Sequence, residues 1–246
     1  MTVLGRRRAG ASAGSDRLTT ILNWAAVVAI IGALAMVFLY APRERTMGDV
    51  QRIFYFHLGS AWVGFFAFFV TMVSGVLYLW KNEERWDVVG NASAEVGTVF
   101  MTMAIISGSL WARPVWNTWW TWDPRLTISA VQWLLYLAYF MLRNGLENPA
   151  QRARFAAVYG IIAFLTVPLS FLSIRIWRTI HPVVVAGQAG NSAEGAFSMT
   201  TKMRQTLFFS LGAFTVLYAT LLRHRLRLAW AQERAARLRQ RVLSRL

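Results

Sequence analysis

The sequence predicts an all-α polytopic membrane protein with six transmembrane helices. Three observations carry that prediction. The 246 residues are 56% hydrophobic with a mean hydropathy of +0.41, more apolar than a soluble domain of this length. The apolar residues are gathered into runs of the roughly 20 residues that a helix needs to cross a hydrocarbon core of about 30 Å. The Lys and Arg residues behind the formal net charge of +15 sit at the ends of those runs. That is the pattern of membrane topology and not of a nucleic-acid surface, so the expected surroundings are a lipid bilayer and no nucleic acid.

The apolar runs cover about 18–41, 57–80, 92–112, 126–142, 155–177 and 205–222. The first follows a basic, small-residue-rich start. It is too long for a signal-peptide core and lacks a small-residue cleavage context after it, so it reads as a retained first helix. The fourth is the shortest. The fifth contains Pro168, which predicts a kink. If both termini are cytoplasmic, the inner segments 1–17, 81–91, 143–154 and 223–246 hold 17 of the 26 Lys and Arg residues, and the positive-inside rule favours that orientation. Residues 1–222 then form one six-helix membrane domain, and 223–246 a basic cytoplasmic tail. Leu226, Trp230, Leu238 and Val242 give the tail an apolar side. It reads either as a helix lying on the anionic inner leaflet or as a docking site for a cytoplasmic partner.

This orientation puts 42–56, 113–125 and 178–204 outside. Five of the 12 tryptophans fall within Trp111–Trp122. Trp24, Trp80 and Trp177 suit an interfacial aromatic belt. Trp116, Trp119, Trp120 and Trp122, crowded into one loop, read either as more belt or as a rigid apolar platform with N–H donors at its edges. Asp123 followed by Pro124 is a helix start, an N-cap with proline at the first helical position. Arg125 reads equally as an interfacial side chain reaching for water and as a fork for a carboxylate. Glu95, near the inner end of the third run, is accounted for by the helix dipole.

Cysteine is absent, which excludes thiol exchange and disulfides, and there are three histidines. His224 lies on the inner side. His57 lies at the junction of the first outer loop with the second helix, and His181 in the third outer loop. A lone interfacial histidine is usually only a polar residue at a boundary. Two on one side, flanking a Trp-rich loop, could be the two axial ligands of a haem iron. A zinc site would need further ligands, and few outer carboxylates are at hand. Arg52, Arg125 and Arg178 are the candidates to pair with haem propionates. No polar residue stands out at mid-bilayer on a plausible path across the membrane.

The run WARPVWNTWWTWDPRLT (111–127) resembles the WWD signature of haem-handling proteins of cytochrome c assembly, and RIFYFHLGSAW, AEVGTVF and IWRTIHP resemble further segments of the heme exporter protein C family of the cytochrome c maturation (Ccm) system. The resemblance implies a protein of the cytoplasmic (inner) membrane that is not an enzyme. Such a protein binds b-type haem transiently at the outer face and delivers it to a membrane-anchored periplasmic haem chaperone (Ccm protein E). It works with the Ccm ABC transporter subunits (proteins A and B) and a small membrane protein (protein D). His57 and His181 would be the axial ligands, and Trp116, Trp119, Trp120, Trp122, Asp123 and Arg125 the WWD surface. Three positions depart from the pattern: Asn117 replaces a usual glycine, Pro124 a usual small residue, and Gly59 a usual proline. Arg175 puts a charge where an apolar residue is expected. The alternatives are a transmembrane haem transporter and a resident b-type electron-transfer subunit, whose paired ligands would normally lie within the spans.

Overall fold

The computed structural model describes residues 3–177 and 199–244. Among them there is no strand. Helix α1 (Val3–Ala35) ends in a π-helical turn (Met36–Tyr40), and a 3-10 turn (Asp49–Arg52) leads into α2 (Ile53–Lys81). Then follow α3 (Glu84–Trp116), α4 (Pro124–Asn144), α5 (Pro149–Phe164), α6 (Thr166–Ile176) and α7 (Thr201–Leu243). Six stretches of the described chain are long and apolar enough to cross a membrane, with α5 and α6 together forming one of them.

The helices run past the apolar segments that announce them. α3 begins at Glu84, with Glu84 and Asp87 in its first turn, where acids favour the helix dipole. α7 passes through position 222 without a break, because the Arg, Ala, Leu and Gln residues beyond it are good helix formers. α2 begins at Ile53, so His57 is a residue of its first turns and not of a junction. The aromatic residues before it, Phe54 and Tyr55, are buried against Trp111 and Leu207.

Each start and stop has a local cause. The Asp123 carboxylate accepts from the Leu126 backbone N–H at 2.9 Å, with Pro124 at the first helical position. Asn148 caps α5 in the same way, accepting from Ala150 and Gln151, again before a proline. Thr200 accepts from Met203 to start α7. α5 gives way to α6 at Leu165. Pro168 has no N–H for the Phe164 carbonyl, and its ring crowds that turn. Beside this break the Thr166 hydroxyl donates to the Ala163 carbonyl at 2.6 Å.

The centre of the bundle is the pairing of α2 with α3. On α3 the residues Gly90, Ala94, Gly97, Met101, Ala104 and Gly108 recur every three or four positions, one stripe of a helix. A Cβ at Gly97 would lie 2.8 Å from the Ala67 Cβ and 2.9 Å from the Phe68 ring. The two backbones therefore approach as small-residue seams in membranes allow. Ser93 donates to the Ala67 carbonyl at 2.7 Å and shares a hydrogen bond with the Tyr218 hydroxyl at 2.8 Å, tying α7 to the seam. Phe68 stacks on Tyr136 of α4 with centroids 3.5 Å apart. Gln132 and Tyr136 are fully buried near the middle of α4. The Phe68–Tyr136 stack fills the space beside them.

The end of the bundle away from residues 117–123 is held by ion pairs. Arg143 of α4 forks onto Asp87 of α3, with one arm at 2.9 Å. Arg225 of α7 forks onto Glu95 of α3, whose other contact is the Asn91 amide at 2.8 Å. Glu95 thus answers a cation on another helix. It lies well past the first turn of α3, where a helix dipole would act.

The side chains of Arg143 and Asp87 are 11% and 16% exposed, so removing one leaves a charge buried without its counter-ion. Asp87→Ala is expected to cost about 3 kcal/mol in thermal unfolding in detergent, and adding Arg143→Met is expected to recover part of the loss. A double variant no more stable than the single one would contradict this.

Candidate functional site at the Trp-rich loop

His57 points from α2 towards α3. Its Nδ1 lies 2.9 Å from the carbonyl oxygen of Ala104. A carbonyl only accepts, so Nδ1 carries the proton and Nε2 carries the lone pair. The approach depends on Gly108, where a Cβ would stand 2.9 Å from His57 Cε1 and 3.2 Å from Nδ1. The Ser107 hydroxyl, 3.4 Å from Nδ1, and the Trp111 ring, with centroids 6.2 Å apart, are further neighbours on α3. A histidine whose Nδ1–H is held by a backbone carbonyl is oriented in the way metal-binding imidazoles are.

The imidazole opens on a cavity of about 390 Å³ at the end of the bundle that carries residues 117–123. That volume falls within the range of small-molecule sites. The cavity brings together His57, Trp116, Trp119, Trp120 and Arg125 of the residues expected from sequence. Trp116 ends α3, and Asn117 then turns the chain with φ 55 and ψ 24, a left-handed conformation that favours glycine and tolerates asparagine. Asn117 can therefore stand where glycine is usual. Arg113 fixes it from the preceding turn, donating to its backbone and side-chain oxygens at 2.7 and 2.6 Å, and its guanidinium lies 5.9 Å from the Trp119 ring centroid. The other end of the loop is set by the Asp123 cap. The tryptophans are thus held between two helix ends. The indole N–H groups of Trp111 and Trp120 are buried without a hydrogen-bond partner among the described residues, and buried donors of this kind call for an acceptor.

Other predicted residues stand elsewhere. Trp122 is 76% exposed and meets Trp120 edge-on, centroids 5.7 Å apart, outside the cavity lining. Asp123 acts as the cap. Arg52 donates to Asp49 at 3.1 Å and to the Val37 carbonyl, and its guanidinium covers the Phe38 ring. It secures the first loop and does not line the cavity. His181 and Arg178 lie outside the described residues.

The structure also adds residues. Leu58, Ala61, Trp62 and Phe65 continue the His57 face of α2 into the cavity; their helical spacing from His57 was the signal. Trp111, Ser129, Phe171 and Arg175 line it as well. The Arg125 guanidinium lies 5.7 Å from the Phe171 ring centroid, and Arg175 follows one turn later on α6. The unexpected charge at 175 is thus a second cation on the same wall. Below the cavity the seam closes at Met101 and Ala104, above the Phe68–Tyr136 stack. Among the described residues no group of three or more His, Cys, Asp or Glu could hold a metal ion. The ligand implied is flat or bulky, largely apolar, and able to use one imidazole lone pair and one or two guanidinium groups.

Comparison with known proteins points the same way. Residues 8–241 match the family model described as heme exporter protein C. A heme exporter protein C from Bradyrhizobium diazoefficiens is 32% identical over 206 residues, covering 82% of this chain and 75% of that protein. Its counterpart from Escherichia coli strain K12 is 29% identical over 220 residues, covering 86% of each. A putative cytochrome c biosynthesis ccmC-like mitochondrial protein from Marchantia polymorpha is 26% identical over 178 residues, covering 72% of this chain and 75% of that protein.

The left-handed turn at Asn117 gives a direct check on the loop. Asn117→Gly is expected to leave the thermal midpoint unchanged or slightly raised. Asn117→Val is expected to cost of order 1–2 kcal/mol. Equal midpoints for the two variants would show that the turn is not held as described.

Proposed function

The chain belongs to the heme exporter protein C family, and from that premise we propose that it receives haem in the loop-end cavity and delivers it to a membrane-anchored periplasmic haem chaperone (Ccm protein E). The family places the chain in haem handling for cytochrome c maturation. The observation that carries the finer reading is His57: an imidazole with its lone pair on Nε2, fixed by a backbone carbonyl, in a cavity walled by tryptophan and arginine. That donor set suits a flat apolar ring with a metal at its centre and carboxylates at its edge.

In this reading His57 is one axial ligand and His181 the second. Trp116, Trp119 and Trp120 support the ring, and Arg125 and Arg178 meet its carboxylates. The cargo is b-type haem, held transiently by coordinate bonds and contacts. The residues need make or break no covalent bond: they bind, orient and exclude water until a partner's ligand competes for the iron. The distribution of Lys and Arg supports an outward-facing cavity, both termini in the cytoplasm, and a position in the inner membrane. The spans within 1–222 then form the haem-handling domain, and 223–246 the basic cytoplasmic tail, which begins within α7. The proposed co-workers are the Ccm ABC transporter proteins A and B and the small protein D. The packed seam below the cavity weighs against a passage for haem through the bundle itself.

The test is the absorption spectrum of the purified protein. Protein from haem-replete cells is expected to show a haem band, and His57→Ala and His181→Ala to lose most of it. Adding the apo-chaperone should then move the band to the chaperone. A wild-type protein without haem would refute the ligand assignment, and haem that never leaves in the chaperone's presence would refute delivery.

A further inference from the structure

The cavity is walled by helices that do not all pack on one another. α6 packs on α4 and α5, whereas α7 packs on α1, α2 and α3, and the two form no extended interface. Yet Ile174 and Arg175 of α6 and Leu211 of α7 line the same cavity. The space between them is floored by α2, which sends one aromatic to each wall. The Trp62 N–H donates to the Thr215 hydroxyl of α7 at 2.9 Å, and Phe65 meets Phe171 of α6 with centroids 5.1 Å apart. Trp62 remains 45% exposed despite lying within a span.

Among the described residues, little covers the α7 wall. A Cβ at Gly212, next to Leu211, would meet nothing within 4 Å, and Phe208, one turn earlier, is 69% exposed. All of these residues lie in stretches apolar enough to sit in the membrane. Set in a bilayer, a cleft between two such stretches opens sideways onto hydrocarbon. At its loop end stands Arg175, exposed, in the last turn of α6, with no ion pair among the described residues. A guanidinium so placed at a membrane interface is well suited to a carboxylate.

We propose that the cleft between α6 and α7 is a lateral portal, through which a flat apolar amphiphile carrying carboxylates passes between the bilayer and the cavity. Arg175 meets the carboxylates at the headgroup level as the apolar ring slides over Trp62 and Phe65. The proposal rests on the haem reading of the cavity and adds to it the route of entry. Entry from lipid keeps the apolar ring out of water throughout, whereas entry past the exposed Trp119 and Trp122 would begin from the aqueous side.

The chain has no cysteine, so engineered thiols would be the only ones present. The full chain carrying Ile174→Cys and Leu211→Cys would be placed in phospholipid vesicles containing haem, and the rise of the bound-haem band followed before and after joining the two thiols with a short bis-maleimide. Closing the cleft first is expected to slow loading roughly tenfold or more. Closing it after loading is expected to slow release to a haem-binding acceptor by a similar factor. Loading at the same rate with the cleft closed would overturn the portal and leave the aqueous end as the route. Failure of the unlinked protein to acquire haem at all would overturn the reading of the cavity itself, and the portal with it. A second variant needs no crosslink: Arg175→Gln is expected to slow uptake of haem but not of its dimethyl ester. Equal slowing of both would assign Arg175 a structural role only.

Discussion

The close approach of α2 and α3 is the constraint on which the rest depends. Two apolar helices in a bilayer gain little from the hydrophobic effect when they meet, so contact has to come from packing. Gly90, Ala94 and Gly97 give α3 a surface on which α2 can lie, and Gly108 carries the same stripe up to the cavity. There it serves a different end, leaving room for the His57 ring to reach the Ala104 carbonyl. One small-residue seam therefore sets both the spacing of the bundle and the tautomer of the imidazole. α4 then packs its Tyr136 on Phe68, and the Asp123 cap fixes where α4 begins and so where the Trp-rich loop must end.

Charge is sorted along the bundle. At the end away from the cavity, half-buried acids and arginines close on each other, Asp87 with Arg143 and Glu95 with Arg225. At the cavity end, Arg125 and Arg175 face the cavity, while the nearby acids Asp49 and Asp123 are engaged by Arg52 and by a helix cap. The acids inside the far end of the bundle are thereby paired, while the cavity end keeps positive charge beside an apolar cavity. That combination favours an anionic, largely apolar guest.

Much of this was legible in the sequence, and what escaped has physical reasons. The fold class follows from the apolar runs, since a bilayer permits few other solutions for them. Asp123–Pro124 announced its helix because capping is local chemistry. Asn117 stood out as a departure from the resembled pattern, and its left-handed turn accounts for it. Pairings across the bundle were hidden. Nothing in the neighbourhood of Glu95 names Arg225, 130 residues away, so a helix-dipole explanation stood in for the ion pair. Arg52 was chosen for its place in a loop, but its side chain turned to Asp49 and Val37. Arg175 looked misplaced because only the packing of α6 beside α4 shows that it lines the cavity. His57 was recognisable by its residue type and its place in the sequence near the Trp-rich loop. Its orientation depended on a glycine on another helix, which no local pattern could supply.

The central claim is that the α2–α3 seam presents His57 to the cargo. It is tested most directly by a double-mutant cycle in haem affinity between Gly108→Val and His57→Ala. If Gly108 acts by seating the imidazole, Gly108→Val weakens binding in the wild-type background and has almost no further effect once His57 is alanine. Equal losses in both backgrounds would mean that Gly108 and His57 act independently, and would contradict the account.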